Sequence, residues 1–312
     1  MVARSGAAIL AAAALVAGGC AFGPGDESEG EATLTVTRDY GSETIVEAIQ
    51  EDPSESETVI RFLDREAEIT TRYGGGFVQS IGGVSGEVRG GRSFDWFFYV
   101  NGIESPIGSA EAEVRGGDRI WWDHRDWTDA MRVPAVVGSW PEPLLQASDD
   151  DPHEVGVECA AERSTCDEVQ EKLGAADVDA AVVDPGGTDD SAPRVLVGEW
   201  ERIHDDPAAA LLAEGPATSG VFARIGGSGD GQQLTLLDER GAAGARVDSG
   251  GGLVAAVRDG EDPPTWLVTG TDAAGVAAAA ELLESETLSD RYAVATEGDG
   301  SAVPVPVLDG AG

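Results

Sequence analysis

The most constraining feature of this sequence is the run DWFFYVNGIE at positions 95–104. Because successive side chains of a strand point to opposite faces, the run predicts a strand with large apolar side chains on both faces. One face carries Trp96, Phe98 and Val100, and the other carries Phe97 and Tyr99. Such a strand is either covered on both sides or offers one face to a flat ligand.

The end of this strand is marked by the pair Asn101-Gly102. Asn-Gly predicts a two-residue type I′ turn, because both central residues need a positive φ. Val100 is therefore expected to pair with Ile103. A second turn signal, Gly116-Gly117-Asp118, precedes a further strand over residues 119–124 that places Trp121 and Trp122 on opposite faces.

The rest of the first half contains shorter signals of both kinds of secondary structure. Alternation of apolar residues predicts strands, and apolar positions that fall on one helical face predict helices. The expected strands are 33–37, 69–73 and 77–81, and the expected helices are ETIVEAIQED, through Ile45, Val46 and Ile49, and residues 59–67.

Aromatic residues concentrate in positions 94–127 of a chain that is only 6% aromatic. Packing of a small core accounts for most of them, because such side chains supply the area that a domain of about 100 residues must bury. A polar rim of the same cluster would suit a planar ligand or a protein partner. The candidate ligand-binding residues are Trp96, Tyr99, Trp121, Trp122 and Trp127, of which Tyr99, Trp121 and Trp127 are expected to be exposed.

Length and charge bound the classes of function. A chain of 312 residues is long enough for two domains, since one usually takes roughly 100 to 200 residues. The 58 acidic and 20 basic residues give a net charge of −38, which repels nucleic acid and anionic lipid headgroups. The acidity is interpreted as a solvated surface, with cation binding as the alternative.

The first 20 residues have the pattern of a secretory signal peptide. Arg4 precedes an apolar segment over residues 7–16, and small residues lead to Cys20. This ending resembles a bacterial lipobox, in which the cysteine becomes the acylated first residue of the mature chain. It departs from that pattern at Ala17, where the lipobox prefers leucine.

An acylated Cys20 would hold the protein on the extracytoplasmic face of the cell membrane. Fatty acyl chains such as palmitate anchor firmly because each buried methylene contributes about 0.8 kcal/mol. Residues 21–32, rich in Gly and acid, read as a flexible tether. The alternative is an ordinary secretory peptide with an incidental cysteine.

The two remaining cysteines are Cys159 and Cys166. In an exported protein such a pair is expected to form a disulfide, with two free thiols as the alternative. The three histidines, His124, His153 and His204, are scattered, so no metal site is predicted.

Beyond a predicted linker at 134–152, residues 153–312 alternate short Val- and Leu-rich runs with Ala-rich stretches. Strands that alternate with helices predict an α/β sheet, with helices near 165–173, 207–213 and 273–283. A strand followed by a capped helix around 269–275 could place a ligand at the helix N-terminus, although Asp272 would repel an anion. No catalytic motif is found, so no catalytic residues are predicted.

The aromatic motif of the first half resembles a bacterial domain family similar to the C-terminal domain of transcobalamin and intrinsic factor. The shared pattern is Trp96, Tyr99, Val100, Asn101 and Gly102, then Gly108, then Gly117, Asp118, Ile120 and Trp122. The resemblance implies a small β-grasp-type domain over residues 33–133, structural roles for the turn residues Asn101, Gly102, Gly117 and Asp118, and no catalysis. Animal relatives use this domain to cover a corrinoid.

These observations predict two domains, a small β-grasp-like α+β domain followed by an α/β domain in which strands and helices alternate. The expected function is that of a lipid-anchored extracytoplasmic protein that captures a small planar ligand, such as a corrinoid, for a membrane transporter. No cofactor is expected beyond such a cobalamin-like ligand. The first alternative is a structural or protein-interaction module of the cell envelope without a small ligand, and the second is an enzyme that uses the turn at 269–275.

Overall fold

The computed structural model describes residues 28–145, 155–227 and 231–308. Outside them lie the predicted signal peptide with Cys20, residues 21–27 of the predicted tether, and residues 146–152 of the predicted linker. Within the described residues the chain has a mixed α+β fold rich in strands, with a six-stranded sheet, a seven-stranded sheet and two three-stranded sheets. None of the helices in these three ranges is long and apolar enough to cross a membrane.

The first half of the chain builds the six-stranded sheet and one small sheet, β3-β4-β5. Its elements are β1 (Glu31–Arg38), β2 (Glu43–Glu51), α1 (Val59–Glu66), β3 (Ile69–Arg72), β4 (Phe77–Ile81), β5 (Val84–Ser85), β6 (Glu87–Arg89), β7 (Arg92–Val100), β8 (Ile103–Glu104) and β9 (Arg119–Asp126). The large sheet has the order β2-β1-β9-β7-β6, and β8 pairs with β7. β1 and β9 run parallel, while β1 and β2, and β7 and β9, run antiparallel.

The second half of the chain builds the seven-stranded sheet and the other small sheet, β13-β14-β15. Its elements are β10 (Val155–Cys159), α2 (Arg163–Ala175), β11 (Ala180–Val183), β12 (Arg194–Glu199), α3 (Trp200–Ile203), α4 (Pro207–Glu214), α5 (Pro216–Ser219), β13 (Ala223–Gly226), β14 (Gln233–Leu237), β15 (Ala243–Val247), β16 (Gly252–Val257), β17 (Thr265–Gly270), α6 (Ala273–Glu281), α7 (Ser285–Leu288), β18 (Ala293–Thr296) and β19 (Ala302–Val305). The sheet order is β11-β10-β12-β17-β16-β18-β19. The first four strands run parallel to one another, and each of the last three runs antiparallel to the strand before it in this order.

One predicted helix is wrong. The segment ETIVEAIQED forms the edge strand β2, which pairs with β1 on both sides of a register shift at Ile45. Its apolar residues Ile45, Val46 and Ile49 have helical spacing, but pairing with a neighbouring strand overrides a weak local pattern. The helix predicted over 59–67 is confirmed as α1.

The aromatic strand β7 is covered on both sides. Trp96, Phe98 and Val100 belong to a hydrophobic cluster to which α1 contributes Val59, Phe62 and Leu63. Phe97, Tyr99 and Trp121 belong to a second cluster, whose other members come largely from the second half, among them Phe222, Leu253 and Tyr292. Trp121 and Trp122 lie on opposite faces, as their alternation predicts.

The second cluster crosses the predicted boundary between the halves. Residues 134–145 of the predicted linker are packed into the molecule, with Val136, Val137, Trp140 and Leu144 buried. Around Tyr99 and Trp121, the face of β1, β7 and β9 that looks away from α1 is therefore an internal surface of the molecule.

Candidate functional site

The junction between the halves holds a buried carboxylate. Asp123 of β9 has no exposed surface. It accepts hydrogen bonds from the Thr37 hydroxyl at 2.7 Å, the Tyr292 hydroxyl at 2.9 Å, and the backbone N–H groups of Tyr40 and Gly41, each at 3.1 Å. Burial raises the pKa of Asp123, and these hydrogen bonds oppose the rise. Because its donors come from both halves, Asp123 ties them together.

A buried guanidinium lies two residues further along the same face of β9. Arg125 donates to the carbonyl oxygens of Ala130 at 2.6 Å and Met131 at 3.1 Å. Its guanidinium carbon lies 3.8 Å from the centre of the Phe97 ring, a geometry that favours cation–π attraction. Arg125 thus fixes the segment after β9 against the sheet.

Aromatic rings fill the space around these charges. The Tyr292 ring packs edge-to-face on Tyr40 at 5.1 Å, Trp121 at 5.2 Å and Tyr99 at 6.0 Å. The prediction that Tyr99 and Trp121 are exposed is wrong, because the second half covers this face and leaves them 0% and 2% exposed. Trp96 and Trp122 are buried on the α1 side, and Trp127 is partly buried.

Next to the junction the two halves separate and leave an open cleft of about 630 Å³. Its floor is the same sheet face, nearer the start of β1, and strand register sets two rows of side chains across it. The rows are Ile49-Thr33-Arg119 and Glu47-Thr35-Trp121. Gly138 and Ser139 line the cleft from the segment after β9, and Ser289 and Asp290 line it from the segment after α7.

Three charged side chains of the cleft have no hydrogen-bonded or ion-paired partner among residues 28–145, 155–227 and 231–308. They are Glu47, Arg119 and Asp290. Burial, with the negative charges of Glu47 and Asp123, raises the pKa of Asp290 to about 6, and Arg291 and Arg119 act in the opposite direction. Strongly shifted carboxyls in clefts often mark functional sites.

The predicted turn residues have structural partners. Asn101 and Gly102 have φ of 53° and 78°, and Val100 pairs with Ile103 as predicted. The Asn101 amide donates to the Asp118 carboxylate at 2.8 Å, which links the turn after β7 to the turn before β9. A side chain at position 102 would approach the Val136 carbonyl oxygen to 2.9 Å, so glycine is required there.

The remaining predicted positions lie away from the cleft. Cys159 and Cys166 are joined by a disulfide with their Cα atoms 5.8 Å apart. At the turn around 269–275, the Asp272 carboxylate caps α6 by accepting from the Gly275 N–H at 2.8 Å. The helix N-terminus is thus occupied by the chain's own carboxylate. No cluster of three or more acidic, histidine or cysteine side chains suited to a metal occurs in the described part of the chain.

Sequence reasoning missed the residues that define the cleft and the junction. Asp123 and Arg125 could have been noticed as charges that strand alternation places on the same face as Trp121. Asp290 and Tyr292 had no such signal, because only tertiary contacts bring them next to β1 and β9. Tyr292 and Asp123, for example, are 169 residues apart in the chain. Trp121 is the predicted ligand-binding candidate that reaches the cleft.

Comparisons with known proteins match only part of the chain. A family model described as a domain of unknown function (DUF4430) matches residues 56–125. A crystal structure described as a "putative metal binding protein" from Ruminococcus gnavus ATCC 29149 matches with 15% identity and a TM-score of 0.25, covering 31% of this chain and 98% of that one. No curated protein matches the sequence.

Proposed function

We propose that the protein is an extracytoplasmic binding protein, held on the cell membrane by an acylated Cys20, that captures a small ligand in the cleft and passes it to a membrane transporter. The observation that carries this proposal is an open cleft lined by charged groups without partners in the described chain. Its volume of about 630 Å³ is in the range of roughly 300–1,000 Å³ typical of small-molecule sites. The proposal assigns binding to the protein and no reaction.

The cleft offers several kinds of contact to a ligand. Arg119 can bind a carboxylate or phosphate group, and Glu47 with Asp290 can bind a cationic group or donate and accept hydrogen bonds. Ile49, which is 63% exposed, adds apolar surface. A ligand with an apolar body and polar substituents of both signs fits this lining.

The location and the ligand class rest on further arguments. The Cys159–Cys166 disulfide supports an extracytoplasmic setting, because disulfides persist in oxidising compartments. The corrinoid version of the proposal rests on the resemblance of the aromatic motif, and so does the assignment of residues 33–133 to a β-grasp-type domain. The alternative is an interaction module of the cell envelope whose cleft holds no small ligand.

Isothermal titration calorimetry of the purified protein with cyanocobalamin and cobinamide tests the ligand class. Ser289→Phe places a bulky side chain in the cleft mouth, and Ser285→Phe is the matched control at an exposed position of α7 outside the cleft. We expect Ser289→Phe to weaken binding at least about tenfold, which corresponds to about 1.4 kcal/mol, and Ser285→Phe to leave it unchanged.

Two outcomes contradict the proposal at different levels. Absence of binding heat with both compounds removes the corrinoid version. Equal weakening by both serine substitutions places the ligand elsewhere and removes the cleft as the site. If a thermal-shift screen of charged and zwitterionic small molecules also finds no stabilising compound, the interaction-module alternative is favoured.

A further inference from the structure

Two neighbouring loops of the first half expose apolar side chains and contain no charged residue. They are residues 73–77, Tyr-Gly-Gly-Gly-Phe, and residues 105–110, Ser-Pro-Ile-Gly-Ser-Ala. Tyr73 is 87% exposed, Ile107 48% and Phe77 41%. One residue in four of this chain is charged, so two adjacent uncharged loops stand out on its surface. Exposed apolar side chains that cluster on a surface form a candidate interaction site.

The two loops form one surface. The Tyr73 and Phe77 rings pack edge-to-face at 6.2 Å. A Cβ atom built on Gly108 would lie 3.5 Å from the Gly76 carbonyl oxygen, so the loops touch through their backbones. We call the surface formed by Tyr73, Phe77, Pro106 and Ile107 the apolar tip. Tyr73, the most exposed of these side chains, adopts a φ of 54°.

The apolar tip lies on the side where the described chain starts. Ser28 accepts a hydrogen bond from the Gly116 N–H at 3.0 Å and donates one to the Pro53 carbonyl at 2.8 Å. Ser28 and Ile107 line the same surface cleft. The eight steps of chain from Cys20 to Ser28 reach at most about 28 Å. An anchor at Cys20 would therefore hold this side of the protein close to the membrane.

We propose that the apolar tip docks on the lipid bilayer interface and orients the protein on the membrane. This inference rests on the acylated Cys20 of the proposed function. Tyrosine is well suited to the headgroup region because its ring is apolar and its hydroxyl is polar. Three or four side chains bind weakly alone, but a lipid anchor turns docking into an intramolecular step at high effective concentration. The net charge of −38 favours zwitterionic over anionic lipid.

The test couples the chain beginning at Cys20 to phosphatidylcholine vesicles that contain a maleimide lipid. Cys159 and Cys166 are joined to each other, so Cys20 provides the reactive thiol. Hydrogen–deuterium exchange is compared between coupled and free protein. We expect exchange in residues 73–77 and 105–110 to slow at least about threefold on the vesicles, and exchange at the β6–β7 turn, Gly90-Gly91, to stay unchanged.

Matched variants separate docking from nonspecific crowding at the vesicle surface. Tyr73→Ser combined with Ile107→Ser removes apolar surface, and Tyr73→Asp adds a charge at the most exposed position. Both should lose the protection and keep the unfolding temperature. The control is Val88→Ser on β6, which removes an exposed apolar side chain outside the tip and should retain the protection.

Several outcomes overturn the inference. The first is unchanged hydrogen–deuterium exchange of the tip on vesicles, and the second is equally slowed exchange in Tyr73→Asp. The third is slowed exchange that requires membrane proteins in addition to lipid, which would assign the tip to a protein partner. Failure of the anchor is measured separately, by labelling of Cys20 with a palmitate analogue in cells. Failure of ligand capture is measured by the Ser289→Phe titration, which does not involve the tip.

Discussion

The sheet face formed by β1 and β9 is used in two ways along its length. At Thr37 and Asp123 the second half closes on it, and every oxygen of the buried carboxylate accepts a hydrogen bond. At Thr33 and Thr35 the same face forms the floor of an open cleft. Tyr292, which seals the junction, and Asp290, which lines the cleft, are two residues apart in the chain.

The difference between these regions shows that some polar groups of the same sheet face stabilise the fold and others are available to bind a ligand. A buried polar group stabilises a fold when its hydrogen bonds are complete, whereas one without partners lowers stability and is available to a ligand. The junction should therefore dominate the free energy of unfolding. The cleft should contribute little to it, or oppose it.

The largest expected effect on the free energy of unfolding comes from removing the buried carboxylate of the junction. Asp123→Ala leaves the Thr37 and Tyr292 hydroxyls and two backbone N–H groups without their acceptor in a buried site. We expect the free energy of unfolding to fall by about 3–5 kcal/mol, measured by urea denaturation. Asp64→Ala, at an exposed position of α1, is the control and should change it by less than about 0.5 kcal/mol. Similar effects of the two substitutions would remove the distinction between the regions.

A smaller effect is expected from removing one donor to the same carboxylate. Tyr292→Phe keeps the ring packing on Tyr40 and Trp121 but deletes the hydrogen bond to Asp123. Because three donors remain, we expect the free energy of unfolding to fall by about 1.5–3 kcal/mol. Tyr73→Phe, at an exposed ring, is the control for loss of a phenol hydroxyl.

If the two halves share one core, they should unfold together. Tryptophan fluorescence and circular dichroism should then report a single unfolding transition at the same urea concentration.

The sequence predicted local features of this fold better than the contacts between its halves. Strand alternation placed Trp121 and Trp122 on opposite faces, and the Asn101-Gly102 turn paired Val100 with Ile103. These are confirmed because strand period and turn geometry are set by neighbouring residues. Burial of Tyr99 was mispredicted, because covering its face takes residues more than a hundred positions away.

The site was harder to predict than the strands for a related reason. The helical spacing of apolar residues in ETIVEAIQED hid the edge strand that supplies Glu47 and Ile49 to the cleft. Asp290 sits in a stretch rich in exposed acidic residues, and nothing local separates it from them. Besides burial, the charges that raise its pKa are those of Glu47 on β2 and Asp123 on β9.

Removing the cleft carboxylate Asp290 should change stability in the opposite direction to removing the junction carboxylate Asp123, and the change at Asp290 should depend on pH. The pKa of Asp290, about 6, lies above the ordinary unfolded value of about 4, so folding favours its protonated form. Its stabilising contribution is present below about pH 4 and is lost as the pH rises through 6. Asp290→Asn should therefore be more stable than the wild type by about 1–2 kcal/mol at pH 7.5 and equal to it near pH 4. Asp64→Asn should show no such difference, and an Asp290→Asn protein less stable at pH 7.5 would mean that the carboxylate is satisfied.

The smallest expected effects are shifts in the pKa of Asp290 when the charges around it are removed, and the two shifts have opposite signs. Glu47→Gln removes a negative charge that raises the pKa of Asp290, so the pKa should fall by a fraction of a unit. Arg119→Gln removes a positive charge that lowers it, so the pKa should rise. Carboxyl chemical shifts of Asp290 followed by NMR titration measure both, with Asp290→Asn used to assign the signal. Added salt should reduce the two shifts together, because charges on the floor of an open cleft are screened by solvent ions. A shift that salt leaves unchanged would indicate a closed cleft, and the contrast between an open site and a sealed junction would then fail.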